Sequence, residues 1–210
     1  MHVLFLAPAT HVYNHLFVRG LKEIGARVSA IGPGAKDTLP AALQSQLDSY
    51  VHLADIQDGQ ALVQAAERMA QSTAFDRVET IDEPLVESAA MVRERLQIPG
   101  LSVATARLCR DKVAMKEFLR ARGIPCAQSG RATCSAEVHA FAEQHGYPLI
   151  LKPIAGFGSL NTHRVDDRAA LDALLPKLDL RPDHPFAIEE FIDGHEGFFD
   201  TIRSEEHTSE

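Results

Sequence analysis

Apolar strands that alternate with amphipathic helices constrain the fold of this sequence more than any other feature. Residues 3–7 form a short apolar run, typical of a parallel strand that is buried on both faces, and residues 27–32 and 78–81 are predicted to form two further strands. Helical faces lie between and after them, at Phe17, Leu21 and Ile24, at Leu62, Ala66, Met69 and Ala70, and at Leu85, Ala89, Val92 and Leu96. Strands that alternate with helices form a parallel sheet with right-handed crossovers. The first half therefore predicts an α/β domain with a Rossmann-like parallel sheet over residues 1–100.

The rest of the chain predicts a unit of mixed helices and strands over residues 101–202. Residues 33–58 are polar and predicted to be irregular, and residues 101–108 are predicted to form a connector. Asp111 and Ser135 are suited to cap the two helices that follow. Strands are predicted over residues 147–153 and 186–192, and another is predicted to begin at Gly197. A last helical face is formed by Leu171, Leu174, Leu175 and Leu178.

The charge, the cysteines, the histidines and the N-terminal run of the sequence argue against several classes of protein. The formal net charge of −8 argues against a general nucleic-acid binder, whose affinity comes from basic side chains on phosphates. The three cysteines have no C-x-x-C spacing, which favours reduced thiols in a cytoplasmic protein. The ten histidines show no metal-ligand spacing, so a structural metal site is not expected. The apolar run at the N-terminus is too short for a signal peptide or a membrane span.

Two segments of the first half bear on ligand binding. The first predicted strand is followed by APATH (residues 7–11) rather than by G-x-G-x-x-G, which argues against a dinucleotide site. Asp82, Glu83 and Pro84 follow the third predicted strand, at the edge where ligands of α/β sheets bind. The same three residues are also suited to a helix cap with proline in the first turn. We favour the cap.

A lysine inside an apolar strand is the first candidate for phosphate chemistry. Lys152 lies in the run PLILKP (residues 148–153) and must either reach solvent at a sheet edge or pair with an anion. The loop GFGS (residues 156–159) follows, and its glycines allow backbone N–H groups to approach a phosphate. Alone, each of these features fits an ordinary strand and turn. Their order along the chain favours a phosphate site.

Two further segments are each weak evidence for a nucleotide site. EEFI (residues 189–192) ends the last long predicted strand, and Gly194 and Glu196 follow it. The backbone at this strand end could pair with the edge of an adenine base. Alternatively, the segment is an acidic strand end without a ligand. Lys112 begins a helix, where a cation is mildly unfavourable for the helix dipole. An anionic ligand would explain Lys112, and so would solvation.

Together these segments resemble the ATP-grasp superfamily, which includes biotin carboxylase, carbamoyl-phosphate synthetase and D-alanine–D-alanine ligase. The matching segments are RDKVAMKEFLRARGIPCA, GYPLILKPIAGFGSLNTHRV and FAIEEFIDGHEGFFDTI. The resemblance covers residues 101–202 and implies the α+β N-terminal lobe of an ATP-grasp domain, with residues 1–100 as the Rossmann-like domain before it. It also implies ATP-binding roles for Lys112 and Lys152 at the phosphates, for Gly156, Gly158 and Ser159 in the loop over them, and for Glu189, Glu190, Phe191, Ile192 and Glu196 at the adenine and ribose.

The resemblance further implies a ligase that uses ATP and Mg²⁺. A carboxylate substrate would form an acyl-phosphate, and an amine or a related nucleophile would then displace phosphate. In the family, the magnesium ligands lie in a later segment than those matched here, so no metal or catalytic residue is assigned. A membrane or nucleic-acid partner is not expected, and a homodimer is left open.

The end of the sequence differs from the rest. Residues 203–210, RSEEHTSE, contain no apolar residue and match the translation of a common sequencing adapter, so we expect a non-native tail and an incomplete domain without ligase activity. Two other functions stay open. One is a nucleotide-binding module without catalysis, and the other is a nicotinamide-dependent dehydrogenase, against which the absent glycine fingerprint counts.

Overall fold

The computed structural model describes residues 1–155, 161–195 and 197. Within them the chain forms two separate four-stranded sheets, one wholly parallel and one wholly antiparallel. This is the α/β architecture that the sequence predicts. None of the helices that the structure describes is long and apolar enough to cross a membrane.

The parallel sheet holds the first half of the chain together. Its strands are β1 (His2–Leu6), β2 (Arg27–Gly32), β3 (Ser49–His52) and β4 (Arg77–Glu79), in the order β3-β2-β1-β4. All five residues of β1 are buried, as expected for a central strand with helices on both faces. The sequence did not predict β3, because this short strand at the sheet edge carries exposed polar residues and lacks an apolar run.

Helices cover both faces of this sheet. They are α1 (Asn14–Glu23) and α2 (Ala41–Gln44), which pack on one face, and α3 (Gly59–Ala70) and α4 (Val86–Leu96), which pack on the other. Asp58 precedes α3 and caps it, since its carboxylate accepts from two backbone N–H groups of the first turn. The predicted face of α1 is partly wrong. Leu21 packs against the core beside Val18, whereas Phe17 and Ile24 are exposed.

Two consecutive helices lead into the second sheet. The predicted connector over residues 101–108 is wrong, because α5 (Val103–Arg110) occupies most of it and begins at Ser102, whose hydroxyl accepts from the Thr105 N–H. Only Ala106 of α5 is buried, so its sequence carries little apolar periodicity. Asp111 then caps α6 (Lys112–Arg120), as predicted, by accepting from the N–H groups of Val113 and Ala114 at 3.0 Å.

The antiparallel sheet forms the second half. Its strands are β5 (Ser129–Ala132), β6 (Leu149–Pro153), β7 (His163–Val165) and β8 (Phe186–Glu190), in the order β5-β8-β6-β7. The helices α7 (Ser135–His145) and α8 (Arg168–Leu174) pack on one face, over a core that includes Leu149, Leu151 and Ile188. The opposite face carries the charged side chains described below.

Several local predictions in this half need correction. The strands β5 and β7 were not predicted, because they have four and three residues and little apolar character. Ser135 is the first residue of α7 rather than its cap, and Cys134 precedes the helix without a side-chain capping bond. Instead the Glu137 carboxylate accepts from the backbone N–H and the hydroxyl of Thr133. The predicted strand from Gly197 and the tail over residues 203–210 lie outside the described residues, apart from Gly197 itself, which is not in a strand.

A buried histidine at the start of β1 makes the stability of the parallel sheet depend on pH. The His2 ring contacts the Ala74 carbonyl oxygen at 3.0 Å and the Ser29 hydroxyl at 2.8 Å. Burial lowers the pKa of His2 below its ordinary value of 6.5. The unfolded chain therefore binds more protons than the folded chain between these two pKa values, so the folded state loses stability as the pH falls through 6.5.

We expect urea unfolding at pH 5.5 to give a lower free energy of unfolding than at pH 8. A His2→Gln variant, which has no titrating ring, should show a smaller difference between the two pH values. The same pH dependence in both proteins would show that His2 is not responsible.

Candidate functional site

A cluster of charged side chains lies on the face of the antiparallel sheet opposite α7 and α8. Ile150 of β6 pairs with Glu189 of β8, and Lys152 pairs with Ala187. Side chains two residues apart on a strand share a face, so Lys152 and Glu189 are diagonal neighbours. The Lys152 ammonium lies 2.7 Å from Oε2 of Glu189. The strand lysine and the strand-end carboxylate that the sequence singled out are therefore brought together.

Helix α6 covers this face and supplies a second lysine. Val113 of α6 packs with Ile154 and Ala187 in a small buried cluster. Lys116, one turn further along α6, places its ammonium 2.5 Å from the same Oε2 atom of Glu189. Sequence reasoning missed Lys116. The available signal was its spacing of four residues from Lys112, which puts both lysines on one face of the helix.

Glu189 is the centre of the cluster and is almost inaccessible to solvent. Its side chain is 6% exposed, against 13% for Lys116 and 22% for Lys152. Both ammonium groups contact Oε2, while Oε1 is buried and accepts no hydrogen bond from any described residue. A buried acceptor without a donor is costly, so this oxygen is suited to a hydrogen-bond donor from a ligand.

Lys112 adds a third cation. Its ammonium donates to the Ile154 carbonyl oxygen at 3.1 Å, at the end of the segment that follows β6. Burial lowers the pKa of Lys112, and the positive charges of Lys152 and Arg110 lower it further. The lysines therefore form a cation-rich site with one buried carboxylate, an arrangement that favours the binding of an anion.

Arg110 connects this site to the parallel sheet. Its guanidinium contacts the Glu83 carboxylate, which follows β4, and donates to the Ala155 carbonyl oxygen at 2.5 Å. Ala155 immediately precedes Gly156, the first residue of the predicted phosphate loop. Arg110 thereby links the carboxyl edge of the parallel sheet to Ala155.

The residues after Glu189 lie at the end of β8. The Glu190 N–H donates to the Gln128 carbonyl oxygen at 3.0 Å, and the Phe191 N–H donates to the Pro148 carbonyl oxygen at 3.1 Å. Ile192 follows the strand and is exposed. These partners bind the strand end to its neighbours. The adenine-binding roles of Glu190, Phe191 and Ile192 stay a prediction.

Four predicted site residues lie outside the described residues. They are Gly156, Gly158 and Ser159 of the predicted phosphate loop and Glu196, the predicted ribose ligand. Their roles stay predictions.

Asp82 has a different role from the one we favoured. It precedes a 3₁₀ turn over Glu83–Leu85 with a proline in the first positions, as predicted, but its carboxylate makes no capping bond. It is buried and accepts from the Asn14 side-chain amide at 3.2 Å, with His11 at 3.5 Å. The Asp82 carboxylate thus pairs with side chains that are distant in sequence instead of capping the turn that follows it.

The described residues do not supply a metal site. Within residues 1–155, 161–195 and 197, no group of three or more His, Cys, Asp or Glu side chains is arranged to hold a metal ion.

Comparison with known proteins finds a family match and relatives of part of the chain. Residues 111–195 match the family described as the carbamoyl-phosphate synthase L chain, ATP binding domain. The L-arginine-specific L-amino acid ligase of Bacillus subtilis is 33% identical over 88 residues, which cover 42% of this chain and 21% of that protein.

Solved structures share the fold of nearly the whole chain. An L-amino acid ligase from Bacillus licheniformis has a TM-score of 0.72 at 24% identity, covering 92% of this chain and 44% of its own. A carboxyaminoimidazole ribonucleotide synthase from Aspergillus clavatus, complexed with ATP, has a TM-score of 0.68 at 23% identity, covering 91% and 47%. The chain thus spans less than half the length of these relatives.

Proposed function

We propose that this chain, whose residues 111–195 belong to the ATP-grasp superfamily, forms the ATP-binding part of an ATP-dependent carboxylate–amine ligase. The match to an ATP-binding domain and the identity to an amino acid ligase support the class of reaction. We further propose that residues 1–100 are the domain before the ATP-grasp domain, which begins at residue 101. Three free cysteines support a cytoplasmic location.

The observation that carries this proposal is the group of three lysines around one buried carboxylate. Lys116 and Lys152 contact the same oxygen of Glu189, Lys112 donates to the Ile154 carbonyl oxygen, and burial lowers the pKa of Lys112. Partly desolvated ammonium groups bind phosphate oxygens as point charges. We assign Lys112 and Lys152 to the phosphates of ATP, because these two follow the spacing of the resemblance.

The buried carboxylate is assigned to the nucleobase. Glu189 Oε1 is an acceptor without a donor among the described residues, and the amino group of adenine is a donor. The neighbouring Oε2 is already held by two lysines. This division of the two oxygens supports a contact between Oε1 and the adenine amino group.

In the proposed reaction, an oxygen of a carboxylate substrate attacks the γ-phosphorus of ATP and the bond to ADP breaks. The acyl-phosphate then reacts with an amine, whose nitrogen bonds to the acyl carbon as inorganic phosphate leaves. The lysines contribute by holding the phosphates and neutralising their charge, which is the main form of catalysis in phosphoryl transfer.

The proposal predicts that the 210-residue chain binds ATP and does not bind NAD. Calorimetric titration with each nucleotide in the same buffer tests this, and binding of NAD instead of ATP would contradict it. The ligase activity is tested on a protein that contains this chain at the full length of its relatives, of which the chain spans less than half. We expect ADP release that needs both a carboxylate and an amine, whereas ATP binding without such release would favour a nucleotide-binding module without catalysis.

A further inference from the structure

Two lysines share one oxygen of Glu189, although only one of them is assigned to the phosphates. Lys152 lies on the strand before the predicted phosphate loop, and Lys116 lies on α6. The proposed assignment of Lys152 to a phosphate requires its ammonium to turn toward the nucleotide, and Glu189 then loses that partner. A buried carboxylate that loses its only counter-ion is strongly destabilised or takes up a proton. The shared contact means that Glu189 has a second counter-ion in place.

We propose that Lys116 is a positioning residue that keeps Glu189 ionised in the nucleotide-bound state, and that it thereby selects a purine with an amino group at C6 over one with a carbonyl oxygen there. This inference rests on the proposed function. Lys116 is suited to the role because its ammonium is 2.5 Å from Oε2 and its side chain is largely buried. Its helix is held against this face of the sheet through Val113.

The charge of Glu189 decides which base it accepts. An ionised carboxylate only accepts hydrogen bonds, so Oε1 pairs with the amino group of adenine and repels the carbonyl oxygen of hypoxanthine. A protonated carboxyl group can donate, and would bind that carbonyl oxygen instead. Removal of Lys116 therefore changes the preference between ATP and ITP, and not only the affinity for nucleotide.

The test compares the affinities of the 210-residue chain for ATP and ITP by calorimetry or by displacement of a fluorescent nucleotide. We expect the wild-type chain to prefer ATP by about tenfold or more, since ITP lacks the donor for a charged acceptor. Lys116→Met should bring the two affinities close together, and Lys116→Arg, which keeps the charge, should restore the preference. Lys112→Met is the matched control. It removes a cation that contacts the Ile154 carbonyl oxygen, and it should lower the affinities for ATP and ITP by the same factor.

If the role of Lys116 is purely structural, Lys116→Met lowers the affinities for ATP and ITP by the same factor. That result would overturn the inference. If Lys116→Met does not fold, Glu189→Gln decides, because a neutral amide can present a donor or an acceptor and should lose the preference. An unchanged preference in Glu189→Gln would also overturn it. A wild-type chain that binds both nucleotides equally contradicts this inference alone, whereas one that binds neither contradicts the proposed function.

Discussion

Replacing Glu189 with alanine is expected to lower the free energy of unfolding by roughly 3–5 kcal/mol. The change removes the shared partner of Lys116 and Lys152 and leaves two ammonium groups close together on a covered face of the sheet. Both side chains keep some access to water, which favours the lower end of that range. Urea unfolding followed by circular dichroism measures the loss.

Glu190→Ala is the matched control, because it removes a carboxylate from the next position of the same strand. Glu190 accepts one hydrogen bond, from the Gln128 N–H at 2.9 Å, and contacts neither lysine. We expect a loss of about 1 kcal/mol for this variant. Equal losses in the two variants would show that the lysine pairing does not stabilise the fold.

The central strands were predictable from sequence because their side chains are buried. In β1, β2 and β6 most apolar residues of the sequence are buried in the structure. Lys152 was noticeable because it interrupts an apolar run. The short strands β3, β5 and β7 were not predictable, since their residues are mostly polar and their pairing is fixed by neighbouring strands. Helix α5 was missed because it buries a single alanine.

The candidate site was partly predictable for a similar reason. Lys112, Lys152 and Glu189 stand at recognisable positions along the chain, and the structure brings all three to one face of the second sheet. Lys116 carries one local signal, its spacing of four residues from Lys112, and two lysines on a solvated helix face would show the same spacing. Its role depends on β8 approaching α6, which is a contact between segments more than 70 residues apart. Likewise, nothing in the sequence around Asp82 indicates that Asn14 is its partner.

Replacing Lys152 with alanine is expected to weaken ATP binding by roughly tenfold to a hundredfold, since a contact with a charged group contributes about 1.5–3 kcal/mol. Calorimetric titration of the 210-residue chain measures the change. Lys177→Ala is the matched control, because Lys177 is exposed in a 3₁₀ turn and makes no described contact with Glu189. An unchanged ATP affinity in Lys152→Ala would remove Lys152 from the proposed phosphate site.

The same variant separates binding from folding. Lys116 still neutralises Glu189 when Lys152 is absent, so we expect Lys152→Ala to lose at most about 1 kcal/mol of stability, much less than Glu189→Ala. A large loss of affinity with a small loss of stability is the pattern of a residue whose charge serves the ligand. If Lys152→Ala instead destabilises the chain as much as Glu189→Ala, the lysine is an essential part of the buried ion pair, and its assignment to the phosphates has to be given up.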